Sequence, residues 1–248
     1  MTARIAALSD VHGNAVALAA VRVALKAAKP DAIVVAGDHV LNGPDPSATV
    51  DALRELEADG ALIVQGNTDI AVADFDYGAA FPWFTDGVPD SVRYAAEWAH
   101  DTLGDERLDW LRRLPAERRL RFEDTLILVT HASPGSQTAG FDPHLDPSVV
   151  TERLSRTDAR LIVCGHTHLP DVRDFGWKQI VNDGSAGYVF DGDPTASWAL
   201  IELDGEDVSV SIKRTEFDVL AVSNALSARG LPGDIYRAAT VRTGKLVR

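Results

Sequence analysis

Five short apolar runs of this chain each end in a turn that carries a side chain with oxygen or nitrogen lone pairs. Ile5 to Leu8 leads into Ser9-Asp10-Val11-His12, and Ala32 to Ala36 into Gly37-Asp38. Ala61 to Gln65 leads into Gly66-Asn67, Thr125 to Val129 into Thr130-His131, and Leu161 to Cys164 into Gly165-His166-Thr167-His168. Apolar runs this short, bounded by glycine and polar residues, read as buried strands. Helical patterns lie between them. Leu18, Val21 and Leu25 share one face before Pro30, and Ser47 to Asp59 reads as a second helix. Strands alternating with helices predict an α/β fold with a mostly parallel sheet. In such a sheet, functional groups collect beyond the carboxyl ends of the strands. Asp10, Asp38, Asn67, His131 and His166 are therefore expected at one edge. His12 and His168 follow two residues after Asp10 and His166, a spacing that can face the same side.

Together these are seven oxygen and nitrogen donors with no thiolate. That is too many for one tetrahedral zinc. It suits two divalent ions bridged by a shared carboxylate, which can activate water and clamp a phosphoryl group. Imidazole and carboxylate donors accept Mn, Fe, Zn, Co or Ni.

At these residues the chain resembles the calcineurin-like metallophosphoesterases. It carries D-x-H (Asp10, His12), G-D (Gly37, Asp38), G-N (Gly66, Asn67), a strand-end His131 and G-H-T-H (Gly165 to His168). N-G-P (Asn42 to Pro44) is similar to the small bacterial and archaeal branch. The resemblance implies a four-layer α/β/β/α sandwich and a dinuclear phosphodiesterase, with manganese among the metals it would accept. One metal would take Asp10, His12, Asp38 and His168. The other would take Asp38, Asn67, His131 and His166, with Asp38 as bridge and a bridging hydroxide as nucleophile. A phosphomonoesterase, or a non-catalytic metal-binding scaffold on the same fold, are the alternatives. The sequence departs from the family at Thr68, where a histidine is often found that helps the leaving group depart. It departs again at Asp183, where the branch often has proline; a carboxylate there could alter substrate choice.

Other candidates follow from position. His39 directly follows Asp38 and could serve as catalytic proton donor, or lie in the helix layer as a satisfied polar group. Asn42 could reach the phosphate from its loop, or serve only the turn. The segment 75 to 90 has no clear period and holds Phe75, Tyr77, Phe81, Trp83 and Phe84. It reads either as a hydrophobic plug or as a substrate wall in which Phe75, Tyr77 and Trp83 bind substrate. His100 and His144 read as structural or solvated, Cys164 as core, and the basic run 112 to 121 as a solvated helix end and turn.

The chain has 24 basic and 37 acidic residues, a formal charge of −13. That field opposes long nucleic acid and favours a small phosphoester substrate. No apolar stretch is long enough for a bilayer, and no signal peptide is expected ahead of the first strand. A single cysteine excludes an intramolecular disulfide framework, so a cytoplasmic protein is expected. Residues 1 to 248 read as one domain with a helical insertion at about 70 to 115. The oligomeric state is left open by the sequence.

Overall fold

The structure, a computed structural model, describes residues 2–122, 124–205 and 207–248. Its strands form two five-stranded sheets. The first holds β1 (Ala3–Leu8), β2 (Ala32–Ala36), β3 (Leu62–Val64), β9 (Ala196–Asp204) and β10 (Asp207–Thr215) in the order β10-β9-β1-β2-β3. The second holds β4 (Glu117–Phe122), β5 (Thr125–Thr130), β6 (Leu161–Cys164), β7 (Asp171–Asp174) and β8 (Gln179–Asn182) in the order β4-β5-β6-β8-β7. β1, β2 and β3 run parallel, as do β5, β6 and β8. The antiparallel strands lie at the flanks of both parallel sets.

Alternation along the strands creates the layers. Ile5, Ala7, Val34, Ala36 and Val64 turn inward and meet Ile127, Val129, Leu161 and Val163 of the other sheet. Ala6, Leu8, Val35 and Ile63 turn outward. They are covered by α1 (Ala15–Ala28), α2 (Pro46–Ala58) and α5 (Asp90–Arg113). On the opposite side Ile162, Cys164 and Ile180 are covered by Val150 and Leu154 of α6 (Pro147–Leu154). The order helix, sheet, sheet, helix is the expected four-layer α/β/β/α sandwich. The parallel strands of both sheets thus end at one edge, five of them in the expected ligand residues.

Between β3 and β4 the chain forms α3 (Asn67–Asp74), the single turn α4 (Tyr77–Ala80) and α5, which kinks at Gly104. After β10 come α7 (Val219–Arg229) and α8 (Asp234–Thr243), which pack on each other around Val222, Leu226, Ala238 and Val241. Two details differ from expectation. The sequence pattern places the first strand of a hairpin at Leu120 to Phe122, with its turn at Glu123-Asp124; β4 begins earlier, at Glu117, so Arg118 and Arg119 also lie on the strand rather than in a turn. β7, a short polar strand with no apolar run to announce it, was not expected. Glu123, at the expected β4–β5 turn, lies outside the described residues.

Candidate metal centre

The turns that follow the strands leave regular geometry at the donors themselves. Asp10, His12, Asp38, His166 and His168 all have positive φ, between 50° and 69°. Non-glycine residues adopt this region at a cost, and such strain gathers at functional sites. Backbone bonds between loops hold it in place. Asp10 N–H donates to Gly37 C=O at 2.9 Å, His12 N–H to Asp38 C=O at 3.0 Å and Gly165 N–H to His131 C=O at 3.0 Å. The loops also approach too closely for any side chain between them. A Cβ on Gly165 would lie 2.0 Å from Ser9 Oγ, and one on Gly66 would lie 2.1 Å from Asp38 Oδ1.

All seven expected donors converge, and they form two groups. In the first, His168 Nε2 lies 3.1 Å from His12 Nε2 and 3.2 Å from Asp10 Oδ1. His12 Nε2 lies 3.6 Å from Asp38 Oδ2. In the second, Asn67 Oδ1 lies 3.0 Å from His131 Nε2 and 3.2 Å from His166 Nδ1. His131 Nε2 lies 3.4 Å from Asp38 Oδ1. Asp38 therefore presents one oxygen to each group.

The residues behind the donors fix which atoms face inward. His12 Nδ1–H donates to Leu41 C=O at 2.9 Å and His131 Nδ1–H to Ala36 C=O at 2.8 Å. His168 Nδ1–H donates to Tyr188 C=O. A carbonyl can only accept, so each Nε2 of a neutral ring turns a lone pair inward. The Asn67 amide donates Nδ2–H to Ala80 C=O at 2.9 Å and so also turns its oxygen inward. Lone pairs and carboxylates packed this closely need positive charge among them. Metal ions fit: a four-coordinate ion with bonds of about 2.0–2.2 Å sets neighbouring donors roughly 3.3–3.6 Å apart.

Without ions, protons take that role. Burial opposes charge on His131, but the Asp38 carboxylate outweighs it and pushes the imidazole up to about 10. Burial also opposes charge on Asp38, yet His131 and His12 hold its carboxyl well below the usual range. His166 goes the other way: burial, with His131 beside it, pushes it down to about 4.

Two supports were not expected from the sequence. Asp69, fully buried, accepts from three backbone N–H groups: Asp38 at 3.1 Å, His39 at 2.8 Å and Gly66 at 2.9 Å. It ties the bridging turn to the Asn67 turn, and its place three residues after Gly66 was the available signal. Ser9 Oγ lies 2.6 Å from Asp10 Oδ2 and 2.5 Å from Asp183 Oδ1. One hydroxyl hydrogen cannot serve two carboxylates. Burial pushes the Asp183 carboxyl well above the usual range, so it donates to Ser9 and Ser9 donates to Asp10. Asp183 is completely buried behind Asp10, so its carboxyl bears on the site through Ser9 and Asp10.

The remaining candidates divide. Trp83 borders the centre, half exposed, with its ring 6.4 Å from that of His166. Phe75 and Tyr77 are not brought to the donors. α3 carries the chain away for eight residues, about 12 Å, and Phe75 packs on His100 with ring centroids 4.5 Å apart. Tyr77 follows, 6.2 Å from Phe75. Asn42 accepts from Arg237 Nε at 3.0 Å and lines a separate cavity of about 490 Å³. The expectation that His39 supplies a proton is corrected: its ring is fully buried, its Nε2–H donates to Val64 C=O at 2.9 Å, and it packs near Trp110. Cys164 is buried core, as expected.

A fold and donor set of this kind belong with hydrolases of phosphoric esters that bind divalent metals. The family model of the calcineurin-like phosphoesterase superfamily domain matches residues 3–206, and the chain belongs to that superfamily. A crystal structure of a metallophosphoesterase from Sphaerobacter thermophilus is 28% identical with a TM-score of 0.76, over 98% of this chain and 100% of that one. A hypothetical protein from Pyrococcus horikoshii OT3 has the same fold, with a TM-score of 0.84 at 20% identity over 98% of both chains. An uncharacterized protein of Methanocaldococcus jannaschii is 28% identical over 243 residues, covering 92% of this chain and 93% of its own length.

Proposed function

We propose that this protein is a dinuclear metal-dependent hydrolase of a small phosphodiester. The convergence of seven donors into two groups that share Asp38 carries the reading. Asp10, His12, Asp38 and His168 would hold one ion, and Asp38, Asn67, His131 and His166 the other. Mn, Fe, Zn, Co and Ni all suit these donors. When bound, the ions supply a nucleophilic water at neutral pH and positive charge opposite the phosphoryl oxygens. The chain's own residues fix the geometry: Asp69 holds the turn of Asp38, Ala80 orients the Asn67 amide, and Ser9 orients Asp10.

The choice of diester rests on what is missing near the leaving group. Four of the seven histidines are donors in the cluster. Of the other three, His39 is buried on Val64, His100 bonds Val72 C=O at 2.7 Å beneath Phe75, and His144 is exposed on a loop. At the family's usual histidine position, Thr68 gives its backbone N–H to Asp38 Oδ1 at 2.9 Å, and its hydroxyl has no partner among the described residues. A threonine hydroxyl cannot supply a proton at neutral pH. General acid catalysis is typically worth roughly 10²–10⁴-fold. Its absence favours substrates whose leaving groups depart unprotonated. The net charge of −13 favours a small molecule over long nucleic acid. No described helix is long and apolar enough to cross a membrane. A cytoplasmic setting, and one domain over 1–248 with an insertion at about 70–115, complete the proposal.

The test is a substrate screen of metal-reconstituted protein. kcat/KM should be higher on aryl diesters than on alkyl monoesters, and Thr68→His should raise the alkyl rates more than the aryl rates. Equal effects on both classes would remove the leaving-group argument. Metal uptake without hydrolysis of any ester would favour the scaffold alternative.

A further inference from the structure

Beside the metal centre lies a cavity of about 490 Å³ that no donor residue lines. Two of its wall residues belong to both places. Phe190 stacks on the His168 ring, with centroids 4.1 Å apart and planes 8° apart. Tyr188 sets its ring edge-on to His12 at 5.6 Å. Other lining residues are aromatic as well: Phe84 is 36% exposed and Tyr236 is 50% exposed. Large rings left open to water around a concavity are a recognition surface rather than core.

The cavity also presents oriented polar groups. Arg237 Nε–H pins Asn42 Oδ1, while the guanidinium is itself held by Asp234 at 3.0 Å. That fixes the Asn42 amide and leaves its Nδ2–H donor without a partner among the described residues. Arg248 adds a cation at the wall of a chain whose net charge is −13. Tyr236, Arg237 and Arg248 lie beyond residue 206, outside the segment that the family model matches. The shared metal edge is thus extended by a wall that the C-terminal helices supply.

We propose that this cavity is a subsite for a planar heteroaromatic group, a nucleobase, on the side of the phosphodiester that does not leave. The inference rests on the hydrolase reading for the substrate's phosphate. Rings such as Phe84 and Tyr236 would stack on the base, and Asn42 Nδ2–H would meet an acceptor on its edge. The volume is larger than a phosphate and a methyl group need, and falls within the range of small-molecule sites.

Two substrates with one leaving group isolate this subsite: thymidine 5′-(4-nitrophenyl phosphate) and methyl 4-nitrophenyl phosphate. The wild-type protein should prefer the thymidine ester. Tyr236→Ala and Phe84→Ala should each lower that preference roughly tenfold, through KM, with the methyl ester unchanged. Thymidine alone should bind chelator-treated protein in ligand-observed NMR, and bind more weakly to both variants. Hydrolysis of neither ester would sink the hydrolase reading, while thymidine binding would still decide the subsite. No thymidine binding, or a preference unchanged in both variants, would overturn it.

Discussion

Gly66→Ala should weaken metal binding sharply while leaving the fold largely in place. The added Cβ would sit 2.1 Å from Asp38 Oδ1 and 2.2 Å from Asp38 N, where ordinary contact begins at 3.4 Å. The two turns must therefore part by about 1 Å or more. The same Asp38 oxygen accepts from Thr68 N–H at 2.9 Å and lies 3.4 Å from His131 Nε2. Asn67 is the next residue and moves with the turn. Metal sites tolerate donor displacements of only about 0.2 Å, so both groups lose their spacing at once. Overpacking of this kind costs about 1–3 kcal/mol of stability. Loss of support around donors typically costs roughly 10–100-fold in metal affinity. Calorimetric titration of chelator-treated protein with Mn²⁺ reads the affinity directly. Gly78→Ala is the control: the nearest atom to its Cβ is Asp76 Oδ1 at 3.6 Å, within the exposed turn α4. The control should bind as wild type does. Wild-type affinity and stoichiometry in Gly66→Ala would refute the claim that close approach of these turns sets the site.

Proton release should accompany metal uptake. His131, pushed up to about 10 in the folded chain, is charged at pH 7 without metal and must lose that proton to become a ligand. Titration in two buffers of different ionisation enthalpy should show release at pH 7, and zero release would contradict the assignment. The folded value lies above the unfolded value of about 6.5, so this stabilisation is complete below pH 6.5 and is lost as pH rises through about 10. Asp183→Asn should fold and bind metal almost as wild type, because an amide can still donate to Ser9. Asp183→Leu should lower stability by about 1–3 kcal/mol, since it leaves the buried Ser9 hydroxyl without that partner. Thermal melts of the two variants separate the cases, and equal losses would contradict a protonated Asp183.

The donors were legible because each follows an apolar run at a strand end, and strand direction alone brings such residues together. Asp10, Asp38, Asn67, His131 and His166 needed no knowledge of loop paths. Residues whose role depends on those paths were not legible. Asp69 lies one turn into α3, and nothing local shows that its carboxylate reaches back to Asp38 N–H. Phe75 and Tyr77 were drawn into the site by composition, but α3 carries them away before Ala80 returns to Asn67. His39 alternates with Asp38, so once Asp38 faces the edge, its neighbour faces the helix layer. That Asp183 is buried was not legible, because it depends on Ala186 N–H and Gly187 N–H, which bond to Ser9 and Asp10 carbonyls and draw its loop under the site. The cavity wall from α8 and the C-terminal segment is remote in sequence from every motif and carries no motif of its own.

The central claim is that two ions share Asp38. Elemental analysis alongside activity, for protein loaded stepwise with a single metal, tests it most directly. Activity should rise to its maximum only as the content reaches two ions per chain, and Asp38→Asn should neither hold both nor retain more than a small fraction of the rate. Full activity at one ion per chain or none, or an active Asp38→Asn variant, would contradict it.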